Sequence, residues 1–509
     1  MIVHLRSAGF FGIEALPIEV EVDVAHRGFA GAMVVGLPDA AVKESLERVR
    51  SALGNAGYQF PRYKTVVNLA PADLRKEGPI FDLPIALGVI FANGEVVPEH
   101  IADYLVMGEL ALDGRTRPVK GVLSAAMLAK RDGARGIIVP AANAVEASVV
   151  AGLDVIPVVD LTQAVGFLSG DLPIEPVSVD LASIFESSSQ YDCDFADVRG
   201  QENVKRAIIV AAGGGHNVLL VGPPGSGKTM LAKRLPTILP PLNLEESLET
   251  TRIHSVSGKL RTGSALLATR PVRSPHHSAS TPAMVGGGSI PQAGEVSLAH
   301  HGILFLDEFP EFTRNCLEAL RQPLEDGSVT IARAHTTVQF PASFMLVAAM
   351  NPCPCGYFTD PRKACRCTSP QIDKYLARIS GPLLDRIDIH MEVPAVSFAD
   401  LRGKQDGTPS SEMRRQVLAA RLRQRQRFGD GAVMTNARMT SKLLRAHTAL
   451  DAAGESVLKQ AMTELGLSAR AHDKVLRVAR TIADLADADA IHADHVSEAI
   501  HYRRLDRQL

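Results

Sequence analysis

The middle of the chain has residue types and a spacing that are typical of a phosphate-binding loop. The pattern G-x-x-x-x-G-K-[ST] is matched by Gly222, Pro223, Pro224, Gly225, Ser226, Gly227, Lys228 and Thr229. An apolar run over 217–221 precedes the loop and predicts a buried strand, whereas 230–235 predicts a helix. In this setting backbone N–H groups surround phosphates, the lysine contacts the β- and γ-phosphates, and the threonine binds Mg²⁺. The pattern therefore predicts a site for ATP and Mg²⁺.

Two further apolar runs end in polar side chains of the kind that ATP hydrolysis needs. The run over 302–306 is followed by Asp307 and Glu308, and the run over 344–350 is followed by Asn351. A buried strand that ends in paired acids needs a reason, because burying an unpaired charge is costly. We expect Asp307 to hold the Mg²⁺ shell and Glu308 to activate water for attack on the γ-phosphate. Asn351 is expected to align that water.

Two arginines are candidates for contacts with the transferred phosphate. Arg386 lies within the run Leu383–Asp388. An arginine that completes the site of a neighbouring subunit stabilises charge in the transition state and is worth about 10³–10⁵ in rate. Arg470 follows Ser468, a good N-cap, at the start of a predicted helix. A single arginine on a helix is usually solvated, so these residues alone leave the role of Arg470 open.

Four of the six cysteines lie close together in the chain, at Cys353, Cys355, Cys365 and Cys367. Four thiolates at short, paired spacing suit a tetrahedral Zn²⁺. The C-x-C spacing is tighter than the usual C-x₂-C, so four reduced thiols in a loop are the alternative. We expect a structural zinc that stabilises the loop between Asn351 and Arg386 and that takes no part in hydrolysis.

The composition is that of an ordinary globular protein and excludes several classes of function. The chain has 509 residues, of which 46% are hydrophobic and 22% charged, and its net charge is -2. A uniformly basic surface is excluded, so any contact with DNA must come from a local basic patch. We find neither a signal peptide nor an apolar run long enough to span a bilayer. We expect a cytoplasmic protein without membrane contact.

Changes of pattern divide the chain into four parts. Residues 1–170 alternate short strands with helices and predict an α+β or α/β domain with a mixed sheet. A stretch rich in Pro, Ser and Asp over 171–194 predicts a linker. Residues 195–395 contain most of the ATP-site candidates and predict an α/β core with a cysteine-rich insert over 353–367. Helical patterns dominate 396–509 and predict an all-α lid.

Two stretches of the N-terminal part, 77–84 and 108–119, resemble the proteolytic domain of Lon-type proteases. Lon proteases place a nucleophilic serine directly after a Gly-Pro pair and a lysine base further along the chain. Here Ile80 and Leu123 stand at those two positions. A Ser–Lys pair needs both members within hydrogen-bond reach. The resemblance therefore implies a Lon-protease-like α+β domain without protease activity, with a role in assembly or partner binding.

The chain as a whole is similar to the ComM/YifB family of magnesium-chelatase-like AAA+ ATPases. The order of the ATP-site candidates matches AAA+ proteins, and the family is indicated by 275–280, 285–288, 294–300 and 351–356. The resemblance implies a homo-hexameric ring, ATP hydrolysis, and a helical lid that brings Arg470 over the nucleotide. It also implies a competence-associated helicase that drives branch migration of DNA when single strands are integrated in natural transformation. Single-stranded and branched DNA and recombination proteins are the implied partners.

The same branch carries two insertions that point into the pore of the ring, and both have counterparts here. One is a glycine-rich loop over 285–291, and the other is a predicted hairpin over 326–341 with Arg333 at its turn. We expect Arg333 to contact the DNA backbone, with a solvated hairpin tip as the alternative. Such contacts position DNA without selecting its sequence. A basic run over 412–428 is interpreted either as a solvated helix face or as a further DNA contact.

Two other functions compete with this interpretation. A chaperone-like motor that inserts Mg²⁺ into a porphyrin, or that remodels proteins, uses the same ATPase core. The Lon-like part and the cysteine insert favour the DNA motor. An ATP-dependent protease is disfavoured by Ile80 and Leu123.

Overall fold

The structure is a computed structural model that describes most of the chain. It covers residues 2–505 except 26, 28, 188–190, 289–290, 333–336, 359, 361–362, 396–406, 430–434 and 504. The chain forms two compact units. The first consists of residues 1–188 and 243–268, and the second of residues 189–242 and 269–509.

The strands in chain order are β1 (Ile2–Phe11), β2 (Glu14–Val24), β3 (Ala32–Val35), β4 (Thr65–Ala70), β5 (Tyr104–Val106), β6 (Glu109–Leu110), β7 (Thr116–Arg117), β8 (Gly136–Pro140), β9 (Asp154–Val158), β10 (Val218–Val221), β11 (Val272–Arg273), β12 (Gly286–Gly287), β13 (Gln292–Ala293), β14 (Ile303–Leu306), β15 (Ser328–Ala332), β16 (Thr337–Pro341), β17 (Met345–Met350) and β18 (Ile389–Glu392).

The α-helices in chain order are α1 (Ala40–Asn55), α2 (Asp82–Asn93), α3 (Val122–Arg131), α4 (Ala141–Ala147), α5 (Leu161–Leu168), α6 (Leu181–Ser187), α7 (Glu202–Gly214), α8 (Lys228–Arg234), α9 (Leu244–Val256), α10 (Thr281–Val285), α11 (Glu295–Leu298), α12 (Arg314–Ala319), α13 (Arg321–Asp326), α14 (Ser369–Leu376), α15 (Gly381–Leu384), α16 (Ser410–Phe428), α17 (Ser441–His447), α18 (Ala452–Leu465), α19 (Ala469–Leu485) and α20 (Ala493–His501). Short 3₁₀ turns cover Pro79–Phe81, Phe195–Asp197, Leu235–Thr237, Phe309–Glu311 and Asn436–Arg438.

The first unit is built on a mixed seven-stranded sheet with the order β3-β4-β2-β1-β5-β8-β9. Strands β1 and β2 pair antiparallel over their whole length, and alternate residues of β2 are buried as the period-2 pattern predicts. Helix α2 is buried from Asp82 to Ala92. Its Asp82 carboxylate is paired with Arg48, whose Nε lies 2.7 Å from Oδ2. The predicted mixed sheet of the N-terminal part is therefore present.

Residues 243–268 pack within the first unit, although the residues before and after them in the chain belong to the second unit. Helix α9 is held there by Arg252, whose Nη2 lies 2.8 Å from Glu14 Oε1. The Ser255 hydroxyl donates to Glu146 Oε1 at 2.5 Å. Burial raises the pKa of Glu146, against the opposing effects of Ser255 and the Leu123 backbone. The periodicity of the sequence does not predict that this segment packs in the first unit, because the contacts that hold it there join residues far apart in the chain.

The second unit contains a five-stranded sheet with the order β11-β14-β17-β10-β18. All neighbouring strands in it are parallel. Strands β10, β14 and β17 are buried at every residue, which explains why their sequences are continuous apolar runs rather than alternating ones. Helices α16–α20 belong to the same unit. The chain is thus a mixed α/β protein with a parallel-strand sheet and a helical C-terminal region.

Two short hairpins extend the second unit, and the sequence predicted their positions. Strands β15 and β16 pair antiparallel from Ser328↔Pro341 to Ala332↔Thr337, as expected for the segment over 326–341. The glycine-rich loop forms a smaller hairpin of β12 and β13. Arg333, the residue predicted at the turn of the longer hairpin, lies outside the described residues.

The structure adds detail to two local expectations. The stretch over 171–194, which the sequence predicts to be a linker, contains the seven-residue helix α6. The arginines of α16 are mostly paired within the chain. Arg415 pairs with Glu412, and Arg421 donates to the Ala212 carbonyl. Arg423 pairs with Asp487 and Asp489, and Arg427 pairs with Asp484. These pairings favour a structural role for the basic run over a DNA contact.

A buried ionic cluster joins the parallel sheet to helix α19. Asp388, which precedes β18, is paired with Lys474 of α19, and its Oδ2 lies 3.2 Å from His216 Nδ1. Burial alone would raise the pKa of Asp388, but Lys474 and His216 outweigh it and hold that pKa well below its usual range. The pair contributes stability above the unfolded pKa of about 4, and this stability is lost as the pH falls through the folded value.

We expect Lys474→Met to destabilise the protein by about 3 kcal/mol at neutral pH, because it leaves the buried Asp388 carboxylate without its lysine partner. Lys459→Met is the matched control, since Lys459 is exposed on α18, and it should change stability little. Urea unfolding of both variants measures the difference. Equal losses in the two variants would show that the buried pair contributes nothing specific.

Candidate active site

The candidate site lies where three parallel strands end side by side. Strands β10, β14 and β17 are neighbours in the order β14-β17-β10. Their carboxyl ends lead directly into the phosphate loop, into Asp307 and into Asn351. The carboxyl ends of parallel strands share one edge of the sheet, which is where open α/β sheets bind ligands. The sheet therefore brings together side chains that are up to about 130 residues apart in the chain.

The phosphate loop has the close backbone approaches that only glycine allows. A Cβ on Gly222 would lie 2.2 Å from the Val393 carbonyl oxygen. Gly225 and Gly227 have φ values of 74° and 91°, in the region that L side chains rarely adopt. The loop is fixed from outside by Gln201, whose Nε2 donates to the Ser226 carbonyl at 2.8 Å. Gln201 was not among the residues that the sequence pattern singled out.

The Lys228 ammonium group points into the phosphate loop. Its Nζ donates to the carbonyl oxygens of Gly222 at 2.6 Å and Pro223 at 2.9 Å, and to Asn351 Oδ1 at 3.2 Å. Burial lowers the pKa of Lys228, and Asp307 partly opposes this shift. A buried ammonium held mainly by weak carbonyl acceptors has capacity for a stronger anionic partner. A nucleotide phosphate has the chemistry that fits this position.

The pair that is expected to hold Mg²⁺ is joined by a direct hydrogen bond. The Thr229 hydroxyl donates to Asp307 Oδ2 at 2.7 Å, while Asp307 Oδ1 accepts from the Glu308 backbone N–H at 2.9 Å. A hydroxyl and a carboxylate are oxygen donors of the kind that Mg²⁺ prefers. The donor set therefore fits Mg²⁺ with a phosphate ligand.

Glu308 follows in a left-handed conformation, with φ 53°, and its side chain is more than half exposed. Its Oε2 lies 2.9 Å from His277 Nδ1, and the His277 ring is 4.0 Å from that of His276. Sequence reasoning noted this pair of histidines as part of a family motif without giving them a role. The sequence could not predict the contact between His277 and Glu308, because only the fold brings these two residues together.

The cysteine cluster follows Asn351 in the chain. The Sγ atom of Cys353 lies 3.4 Å from that of Cys355 and 3.7 Å from that of Cys365. All four Sγ atoms, including that of Cys367, lie within 4.8 Å of one another. The cluster predicted from spacing alone is therefore formed in space.

The remaining candidates stand apart from these contacts. Arg386 is paired with Glu325 of α13 and its Nη1 donates to the Pro382 carbonyl at 2.8 Å. Arg470 is exposed in the first turn of α19, and it makes no hydrogen bond or ion pair with any described residue. A single chain thus joins Lys228, Thr229, Asp307 and Asn351 by hydrogen bonds, but it does not add either arginine to them.

Comparison with known proteins places the chain in a family. Family models described as "Magnesium chelatase, subunit ChlI", "Subunit ChlI of Mg-chelatase" and "Magnesium chelatase, subunit ChlI C-terminal" match residues 194–401, 20–143 and 407–503. The protein YifB of Salmonella typhimurium is 44% identical over 510 residues, covering 100% of this chain and 98% of the relative. Competence protein ComM of Haemophilus influenzae is 44% identical over 513 residues, with the same coverage.

The chain belongs to the ComM/YifB family. A segment of the chain is also similar to the DNA replication licensing factor mcm6 of Dictyostelium discoideum, which is 28% identical over 208 residues that cover 38% of this chain and 20% of that protein. Membership makes this chain a magnesium-chelatase-like member of the AAA+ ATPases, which use nucleotide and Mg²⁺. No helix in the described part of the chain has the length and apolar character needed to cross a membrane.

Proposed function

We propose that this ComM/YifB protein is a hexameric ATP-driven DNA motor. It would act as a branch migration helicase that promotes integration of single-stranded DNA during natural transformation and homologous recombination. The observation that carries the ATPase part is the Thr229–Asp307 hydrogen bond of 2.7 Å, since it joins the phosphate loop to the acidic strand end. The DNA part is supported by full-length similarity to a protein named as a competence protein.

The proposed division of labour follows the positions of the side chains. Lys228 and the loop N–H groups bind the phosphates, and Thr229 and Asp307 hold Mg²⁺, which supplies charge neutralisation when bound. Glu308 accepts the proton of the attacking water, and Asn351 orients that water. Arg386 acts on the site of a neighbouring subunit, and Arg470 reaches the nucleotide from the helical region. The nucleotide is therefore held between subunits of the ring.

Contact with DNA is assigned to the two hairpins of the second unit. Arg333, which lies outside the described residues, falls between β15 and β16 in the sequence, and the β12–β13 hairpin is glycine-rich. A ring of six chains brings six such arginines to one opening, which concentrates positive charge that the net charge of -2 conceals. Phosphate contacts of this kind are independent of sequence. Single-stranded and branched DNA, together with recombination proteins, are the proposed partners.

The first test is the ATPase rate with and without single-stranded DNA at two salt concentrations. We expect DNA to stimulate hydrolysis at low salt. With six phosphate contacts the slope of log K against log salt for a single strand is about -4, so affinity should fall about 250-fold between 50 and 200 mM salt. Unstimulated hydrolysis at both concentrations, with the basal rate intact, would contradict the DNA motor.

Arg333→Ala is expected to weaken DNA binding and to make it less dependent on salt. Its control is Arg415→Ala, which removes an exposed arginine that is paired with Glu412 on its own helix. The control should leave both DNA affinity and salt dependence unchanged. Equal losses in the two variants would assign the DNA contact to the whole basic surface rather than to the hairpin.

The alternative is a chelatase-like motor or a protein-remodelling ATPase. It is favoured by one observation, the match of three successive segments to magnesium chelatase family models. This alternative requires ATP hydrolysis to depend on a porphyrin-binding or protein partner and not on DNA. Stimulation by single-stranded DNA in the purified protein would therefore decide between the two proposals.

For the first unit we propose a Lon-like domain without protease activity. The two positions at which Lon proteases carry serine and lysine are occupied by Ile80 and Leu123, whose exposed fractions are 6% and 0%. Both side chains belong to the core of the unit. The proposed role is assembly or partner binding. Degradation of casein by the purified protein with ATP would contradict the proposed absence of protease activity.

For the cysteine cluster we propose a structural Zn²⁺. A tetrahedral zinc with Zn–S distances of about 2.3 Å places its sulfur atoms about 3.8 Å apart, and three of the Sγ–Sγ distances are 3.4, 3.7 and 3.6 Å. Four thiolates at this separation also suit a reducing compartment. The proposed location of the protein is the cytoplasm.

A further inference from the structure

The cysteine cluster is built into a loop that begins at the nucleotide site. We define the cysteine loop as residues 351–367, of which 359, 361 and 362 lie outside the described residues. It starts directly after β17, with Asn351, and its last residue Cys367 precedes Thr368, the N-cap of α14. The Thr368 N–H donates to Gln371 Oε1 at 2.9 Å, which fixes the start of that helix. Both ends of the loop are thus anchored on regular structure, and the four Sγ atoms between them lie within 4.8 Å of one another.

The interior of the cysteine loop lies against the phosphate loop. Gly356 has φ 86°, and a Cβ built on it would meet Pro224 Cδ at 2.6 Å and Cγ at 2.7 Å. The Gly356 backbone is therefore in direct contact with the proline ring of the phosphate loop. Its own position is set by the cluster, because it follows Cys355 and its N–H donates to the Cys353 carbonyl at 2.9 Å.

The start of the cysteine loop contacts the same site from the other side. Asn351 lies two residues before Cys353, and its Oδ1 accepts a hydrogen bond from Lys228 Nζ at 3.2 Å. The Cys353 side chain is fully buried. A shift of the cluster therefore acts on Lys228 through Asn351 and on Pro224 through Gly356. These are two independent contacts with the residues that would bind phosphate.

We infer that metal held by the four cysteines controls the affinity of this protein for nucleotide. The inference rests on the proposed zinc site and ATPase function. Without a metal, four thiols have only weak hydrogen bonds to hold them together, whereas a metal crosslink closes the loop and contributes its binding free energy to the folded arrangement. Loss of the metal frees Gly356 and Asn351 from their positions, and the phosphate loop loses its support. The class of ligand is a soft divalent cation, with zinc as the proposed occupant.

The experiment measures metal and nucleotide binding separately on the full-length protein. Elemental analysis is expected to give about one zinc per chain. The affinity for a fluorescent, non-hydrolysable ATP analogue is then measured at constant Mg²⁺ for the purified protein, after a zinc-selective chelator, and after zinc is restored. We expect about a tenfold or larger loss of affinity on removal, reversed by zinc. Equal affinities with and without zinc would overturn the inference, as would the absence of stoichiometric metal.

Gly356→Ala tests the contact without touching a ligand. It should keep zinc and still weaken nucleotide binding, because its Cβ cannot fit against Pro224. Gly429→Ala is the matched control, since Gly429 has φ 84° and open space around its Cβ position; it carries the same backbone strain but should leave nucleotide affinity unchanged. Unchanged affinity in Gly356→Ala, or an equal loss in the control, would overturn the inference. Zinc-loaded wild-type protein that binds no nucleotide would instead contradict the proposed ATPase function and the inference with it.

Discussion

Glu308→Gln is expected to lower the rate of ATP hydrolysis by about 10³-fold, which lies within the range for removal of a general base. The change is isosteric and removes only the ability to accept a proton. The side chain is exposed and touches His277 at 2.9 Å, and a glutamine can keep this contact. Nucleotide affinity should therefore remain, because Lys228, Thr229 and Asp307 are unaltered. Measured together, the steady-state rate and the dissociation constant of the ATP analogue separate binding from chemistry.

The control for this change is Glu311→Gln. Glu311 is a carboxylate of the same segment, and its Oε2 lies 2.6 Å from Arg378 Nη1 on the surface. The control should leave the hydrolysis rate unchanged. A normal rate in Glu308→Gln would remove Glu308 from the mechanism and leave His277 or another group to activate the water.

Features carried by short stretches of chain were predictable from the sequence. The helix predicted over 230–235 is observed as Lys228–Arg234, and the strand expected over 217–221 is observed as Val218–Val221. The phosphate loop also belongs to this class, because its glycines, Lys228 and Thr229 all lie within eight consecutive residues. In each case the period of the apolar residues or the glycine spacing holds the whole signal.

Features that depend on contacts between distant segments were not predictable in the same way. The approach of His277 to Glu308 and the support of Ser226 by Gln201 appear only when the parallel strands are aligned. The packing of residues 243–268 in the first unit is another case, since α9 has an ordinary helical sequence with a capping box. The pattern of a helix predicts which face is apolar but not which partner covers it.

The structure of a single chain does not explain the expected roles of Arg386 and Arg470. Arg386 was expected to complete the site of another subunit, and in one chain it pairs with Glu325 and contacts the Pro382 carbonyl. Among the described residues, the Arg386 guanidinium makes no hydrogen bond or ion pair with the hydrogen-bonded residues of the phosphate site. Arg470 has no such partner among the described residues. For Arg386 these contacts are compatible with the proposed role at the site of a neighbouring subunit.

Arg386→Ala should reduce ATP hydrolysis by about 10³-fold or more, since the arginine would stabilise charge that develops only in the transition state. Binding of the ATP analogue should change little, which distinguishes this loss from that caused by replacing Lys228. Arg378→Ala is the matched control. Arg378 is likewise paired with a glutamate, Glu311, but on the surface, and its removal should leave the rate unchanged.

Mixing two inactive variants tests whether Arg386 acts across the interface. Arg386→Ala subunits keep Glu308, and Glu308→Gln subunits keep Arg386, so an interface between one of each can be complete. In an equimolar ring about a quarter of the interfaces have the productive order, and we expect the mixture to recover up to about that fraction of the wild-type rate. Co-purification of differently tagged subunits checks that mixed rings form. If mixed rings form and no activity returns, Arg386 acts within its own chain, and the pair that it makes with Glu325 has to break during each catalytic cycle.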